Sequence, residues 1–114
     1  MKIRRGHVYW AELPGQTKRR PCVVVSADWL NEFALDVCGV PLTTVVRAKF
    51  LLRVGLAAGE GGLAKPCWAK CDQVTTIEKS SLIEGPLGRL PKPRLAELEA
   101  AILLALGIDG SKPR

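Results

Sequence analysis

Short apolar segments, each cut off by a turn signal, fill the first two-thirds of this chain, and they restrict it to short strands. HVYWAEL, residues 7–13, alternates as a half-buried strand does and ends at Pro14-Gly15. A polar loop, Gln16 to Arg19, leads into a second strand over 21–26, whose Val23-Val24-Val25 run suits burial on both faces or inside a small barrel. Asp28 to Glu32 reads as a loop with a short helical turn. A third strand is expected over Asp36 to Leu42, with Gly39 and Pro41 marking a bulge or an edge. Phe50 to Val54 is a fourth, and Gly55 to Gly62 a glycine-rich turn. Cys67 to Cys71 with Val74 to Ile77 supplies a fifth, interrupted by Asp72-Gln73. Strands at this spacing predict a small antiparallel barrel or sandwich.

The last third changes period. Pro91-Lys92-Pro93 is a helix-start signal, and Leu95, Leu98, Ile102 and Leu106 recur at spacings of three and four until Gly107 stops them. The predicted helix lies across the barrel or caps its end. At 114 residues, with no repeat and no linker, one domain over 1–114 is expected. The hydrophobic fraction of 47% argues against a disordered chain.

The formal charge of +6 suits a polyanionic partner, nucleic acid or an acidic protein. No apolar segment follows the charged N-terminus as a secretory leader requires, and Ala100 to Leu106 is too short to span a bilayer. A soluble, cytoplasmic protein without membrane contact is expected. Cys67 and Cys71 are spaced more loosely than a zinc knuckle, and the lone His7 does not complete a ligand set. The four cysteines therefore read as buried thiols, and neither metal nor cofactor is expected.

Three basic side chains, Lys18, Arg19 and Arg20, run into the buried Val strand through Pro21. With Thr43-Thr44 and Lys70-Cys71-Asp72-Gln73 they would form one patch if the loops converge: a guanidinium, hydroxyls, a carboxylate and an amide. Such a set binds a phosphate and stabilises extra negative charge on it. Each piece also has an ordinary reading, a snorkelling Arg, β-forming threonines, an Asp turn. Trp10, Trp29 and Trp68 are expected to fill the core rather than stack on bases.

In order, the segments RRGHVYWAEL, RRPCVVVS, VPLTT, KCDQVTTIEK and a C-terminal helix ending LLALGI resemble the MazF/PemK/Kid toxins of bacterial toxin–antitoxin pairs, over nearly the whole chain. The resemblance implies a mainly β fold, an SH3-like barrel with helices, assembled as a homodimer. It implies a metal-independent, sequence-specific endoribonuclease that cuts single-stranded RNA, chiefly mRNA, and so blocks translation. It also implies a cognate acidic antitoxin that covers the RNA groove and binds DNA in complex with the toxin. Arg20 falls on the family's catalytic arginine and Thr43 on its catalytic threonine. Asp72 falls on an Asp implicated in cleavage, whereas Lys18, Arg19, Thr44, Lys70 and Gln73 are expected to bind substrate. Whether Asp72 or Arg20 acts as the base stays open. The loop LPGQTKRRP is shorter than in the family and lacks its acidic residue or His, and His7 stands where an acidic residue is usual. A gyrase poison of the CcdB type is disfavoured, since LGIDGSKPR lacks the Trp of the Trp-Gly-Ile tail. A non-catalytic RNA-binding barrel is the other alternative.

Overall fold

The computed structural model describes residues 2–46 and 51–108. Seven strands and two α-helices follow in the order β1 (His7–Ala11), β2 (Arg20–Val24), α1 (Asp28–Phe33), β3 (Asp36–Thr43), β4 (Arg53–Leu56), β5 (Cys67–Lys70), β6 (Thr75–Glu78), β7 (Leu82–Arg89) and α2 (Lys92–Leu106). All strand pairs are antiparallel, in the order β4-β5-β3-β2-β1-β7, with β6 also on β3. The mainly β architecture with a C-terminal helix agrees with the expectation.

β3 is the hub. Along one edge it pairs β2 through Gly39 to Pro41; along the other, Asp36 to Gly39 pair β6, and Leu42 and Thr43 pair β5. Pro41 sits where the second partner changes, a break at which a residue without an N–H costs least. It is therefore not the mark of an edge strand. Gly39 lets Ile77 approach closely, since a Cβ there would come within 2.6 Å of Ile77 Cδ1 and push that methyl aside.

Three points of the strand reading need correction. The predicted interrupted fifth strand is two strands, β5 and β6, because its halves pair different halves of β3. β7 was not anticipated: Gly85, Pro86 and Gly88 interrupt its pattern, and its pairing with β1 shifts register twice. The fourth strand runs over Arg53–Leu56 instead of 50–54, taking Gly55 out of the predicted turn; its predicted start at Phe50 lies outside the described residues.

Strand alternation sorts the apolar residues into two clusters. Val8, Val23, Val40 and Leu42 join Leu98 and Ala101 of α2 in the first, while Tyr9, Cys22, Val24, Val37 and Ile77 form the second. α2 begins with Pro93 in its first turn and ends at Gly107 in the left-handed conformation, φ 65°. The helix packs against β4. Its buried face is Leu98 and Ala101, whereas Leu106, predicted as part of the stripe, is exposed.

The tryptophans do not fill the core. Trp29 is 69% exposed and Trp10 and Trp68 are half-buried, whereas Tyr9 is fully buried in their stead. The reason is positional. Trp29 lies on the outer side of α1, Trp10 stands near the end of β1 across from Pro21, and Trp68 near the start of β5 across from Thr43. All four cysteines are free; Cys22, Cys67 and Cys71 are buried and Cys38 half-buried. No helix among the described residues is long and apolar enough to cross a membrane.

Candidate functional site

Register places the predicted residues. Cys22 faces Pro41 across β2 and β3, and Arg20 and Thr43 each lie two residues beyond, on the same face, with the Arg20 charge felt at Lys70. Thr43 faces Trp68 on β5, which faces Gly55 on β4, and Arg53 faces Lys70 in the same pair of strands. Residues directly opposite share a face, and so do residues two apart. Arg20, Thr43, Trp68, Lys70 and Arg53 therefore share one face of the sheet, which emerges to solvent at the ends of β2 and β3.

The electrostatics agree. Lys70 has its pKa lowered, first by burial, then by the neighbouring charges of Arg53 and Arg20, with Asp72 acting the other way. Three cations thus crowd one spot, and a phosphate beside them would relieve both their repulsion and their desolvation. Arg20 Nε donates to Gln16 Oε1 at 3.3 Å, and no carboxylate among the described residues pairs it. Thr43 is only 8% exposed, and its Oγ1 accepts the Val45 amide at 3.1 Å, which leaves the hydroxyl hydrogen for another acceptor.

Asp72 and Gln73 lie exposed in the turn after β5, where the Gln73 amide donates to the Lys70 carbonyl at 3.0 Å. Asp72 faces solvent, and its charge is felt at both Lys70 and Cys71. Thr44 is exposed one residue beyond Thr43, on the opposite face, and borders an apolar hollow of about 410 Å³ with Trp10, Pro21, Leu63 and Leu87. Lys18 is exposed in the loop before β2.

Arg19 stands apart from Arg20. Its guanidinium lies 5.3 Å from the centre of the Trp10 ring and 3.5 Å from Glu84 Oε2, on the other side of the sheet. Adjacent basic residues at a strand entrance point to opposite faces, so the basic run divides. His7 is also outside the strip; its pKa is lowered by burial and then by Arg89, with which it pairs across β1 and β7. Two members of the strip, Arg53 and Trp68, were not singled out from the sequence as site residues. Only the β4–β5–β3 register brings them there, and no local motif announces them. Among the described residues no group of three His, Cys, Asp or Glu is placed to hold a metal ion.

Residues 4–106 match the model of the PemK-like, MazF-like toxins of type II toxin–antitoxin systems. The chain is 31% identical to endoribonuclease MazF9 of Mycobacterium tuberculosis (strain ATCC 25618 / H37Rv) over 116 residues, covering 93% of this chain and 98% of the relative. Among solved structures, an endoribonuclease in complex with its cognate antitoxin from a mycobacterial species superposes with a TM-score of 0.81 at 26% identity, covering 93% of this chain and 96% of that one. MazF from Deinococcus radiodurans gives a TM-score of 0.80 at 22% identity, covering 94% and 98%, and shares the fold. A match over nearly the full length, in sequence and in backbone, makes this chain a member of the PemK/MazF-like toxin family of type II toxin–antitoxin systems, homologous to the MazF endoribonucleases.

Proposed function

We propose that this chain is the toxin of a type II toxin–antitoxin pair and cleaves single-stranded RNA without a metal. The observation that carries the reading is the convergence of Arg20, Thr43 and Lys70 on one face, with Arg20 unpaired by any carboxylate among the described residues. Arg20 clamps the scissile phosphate in bidentate fashion, and Thr43, its oxygen already accepting the Val45 amide, donates its hydrogen to a non-bridging oxygen.

The substrate's own 2′-hydroxyl is the nucleophile. Its oxygen bonds to phosphorus as the bond to the 5′-oxygen breaks, leaving a 2′,3′-cyclic phosphate and a 5′-hydroxyl. One proton leaves the 2′-oxygen and one reaches the 5′-oxygen. Asp72 is the better base, because an arginine with a pKa above about 12 holds its proton. Lys70, whose ammonium is disfavoured by burial and by two guanidiniums, is the better acid. The cognate antitoxin covers this strip with an acidic segment, as opposite charge requires. The toxin acts as a homodimer, for which the exposed Leu103, Leu106 and Ile108 offer apolar surface.

The test is a digest of a defined RNA in EDTA with wild type, Arg20→Ala and Thr43→Ala, followed by analysis of the ends. Cyclic phosphate and 5′-hydroxyl ends from the wild type, lost in either variant, are expected. Intact RNA with salt-sensitive binding would replace the nuclease by a non-catalytic RNA-binding module.

A further inference from the structure

Three tryptophans stand outside the core, and they differ in what occupies their rings. Trp10 has the Arg19 guanidinium over its face. Trp29 lies on α1 between Asp28 and Glu32, beside a hollow of about 640 Å³ lined by residues of both charges. Trp68 alone lies in the cationic strip, directly across from Thr43 and one residue from Ala69, with Lys70 next on the same face.

Its orientation is set by a glycine. A Cβ on Gly55 would stand 3.1 Å from Trp68 Cζ3 and 3.5 Å from both Cε3 and Cη2. Such near-equal separations from three neighbouring ring atoms mean that the indole lies face-on over the Gly55 backbone. Trp68 is half-buried, and its ring makes no hydrogen bond or cation–π contact with any described residue. One ring face is therefore seated on β4 and the other is turned from it. Around it stand Arg20, Arg53 and Lys70, three cations that favour an anionic partner over an apolar one.

We propose that Trp68, held flat by Gly55, is a stacking platform for the base of a nucleotide that flanks the scissile phosphate of single-stranded RNA. This rests on the nuclease reading of the strip and adds a substrate-positioning residue to it. A phosphate seated between Arg20 and Thr43 leaves its nucleoside to run along the strip, and the first flat apolar surface it meets is the Trp68 ring. Every base has a π-face, so the platform orders the strand near Thr43 without itself reading the sequence. A paired base, both of whose faces are already stacked within a duplex, is denied it. The platform thus selects for single strands.

The experiment uses the RNA sequence found in the wild-type digest, as an oligonucleotide carrying a 2′-deoxy sugar at the scissile position so that it binds without being cut. Two companions carry an abasic residue on one or the other side of the scissile phosphate. Affinities are measured for wild type, Trp68→Phe, Trp68→Leu and Gly55→Ala, with thermal melts alongside. Trp68→Leu, which keeps apolar bulk but no ring, is expected to weaken binding about ten-fold, and Trp68→Phe by less. Gly55→Ala, whose methyl displaces the ring, is expected to fall between them with its melting temperature nearly unchanged. On one of the two abasic companions all four proteins are expected to bind alike. Equal affinity of Trp68→Leu and wild type for the intact oligonucleotide, with wild-type cleavage retained, would overturn the platform and leave the nuclease standing. A Trp68→Leu deficit that persists on both abasic companions would make the ring a structural prop and overturn the platform too. A folded wild type that neither cuts nor binds RNA would overturn both.

Discussion

Arg5 and Arg20 both border the core, yet one corner of the molecule is closed and the other open. Arg5 Nε donates to the Val25 carbonyl at 3.0 Å, its Nη2 meets Glu99 at 2.6 Å, and its backbone amide reaches Asp28 at 2.7 Å. Asn31 finishes the same corner, bonding the Ser26 carbonyl at 2.9 Å, while the Ser26 hydroxyl accepts the Cys38 amide at 3.0 Å. Arg20 has a neutral glutamine at 3.3 Å and the Lys70 ammonium in electrostatic range. The first corner ties α1, the N-terminal segment and α2 together. In the second, Arg20 has no carboxylate among the described residues, which is how a binding surface differs from a strut made of the same residue type.

Exchanging the two losses separates these roles. Arg20→Ala is expected to lower the rate of RNA cleavage by about 10²–10³-fold, as loss of a transition-state charge clamp does, with the melting temperature unchanged or slightly raised. Arg5→Ala is expected to leave cleavage per folded molecule unchanged and to reduce stability by about 1–2 kcal/mol, most of it from the Val25 carbonyl bond, because the Glu99 pair is part-exposed. Cleavage assays paired with thermal melts would break the comparison if the two variants gave the same pattern.

Asn31 sharpens the closed side. It is 2% exposed, and its truncation leaves Ser26 groups buried without their partner, which costs about 1–3 kcal/mol. Denaturant melts of Asn31→Ala should show that loss. RNA affinity in the folded protein should stay at the wild-type level, since no residue of the cationic strip belongs to this network.

Sequence and fold part company along the same line. β1 and β2, whose patterns are unbroken, and β3, whose Gly39 and Pro41 leave Val37, Val40 and Leu42 as an apolar run, stand where the sequence puts them to within two residues at either end, because alternation and turn chemistry are local. β7 was hidden because Gly85, Pro86 and Gly88 are locally strand breakers; Gly88 is required by the backbone of Gly61 and Gly62, against which a Cβ would stand 2.7 Å away. In the site, Arg20, Thr43 and Lys70 were legible because motifs carry them. Trp68 and Arg53 were not, since their place depends on which strand lies beside β5. The sequence predicts buried thiols at all four cysteines, and Cys38 departs from this by being half-buried; burial pushes Cys22 and Cys71 up to about 12, so a thiol reagent should label them only on unfolding, with Cys38 reacting first.

Lys70 gives the open corner a pH signature. Its folded pKa lies below the ordinary 10.5, so between those two values the unfolded chain holds more proton at this site than the folded one. The Lys70 contribution therefore opposes folding in full below its folded pKa and fades as pH rises towards the ordinary value. A bound phosphate acts in the opposite sense, favouring the ammonium. RNA affinity should weaken with rising pH through the lowered pKa, and binding there should take up a proton. Calorimetry in two buffers of different ionisation heat reads that uptake, and Lys70→Met should abolish it.

The smallest expected effect belongs to Arg19, the residue that the sequence makes look most like Arg20. Its charge is already shared between the half-buried Trp10 ring and the exposed Glu84, and strand alternation turns it from the strip. An exposed pair of this kind contributes about 0–1 kcal/mol, so Arg19→Ala should scarcely move the melting temperature. Its effect on RNA should be a loss of general attraction, a few-fold in affinity at low salt that shrinks as salt screens it, with the catalytic rate at saturation unchanged. Cleavage by Arg19→Ala measured against salt and RNA concentration reads both. A fall in the saturated rate comparable with that of Arg20→Ala would mean that the two guanidiniums converge on one phosphate after RNA binds, and that the Glu84 pair opens to let Arg19 cross the strand edge.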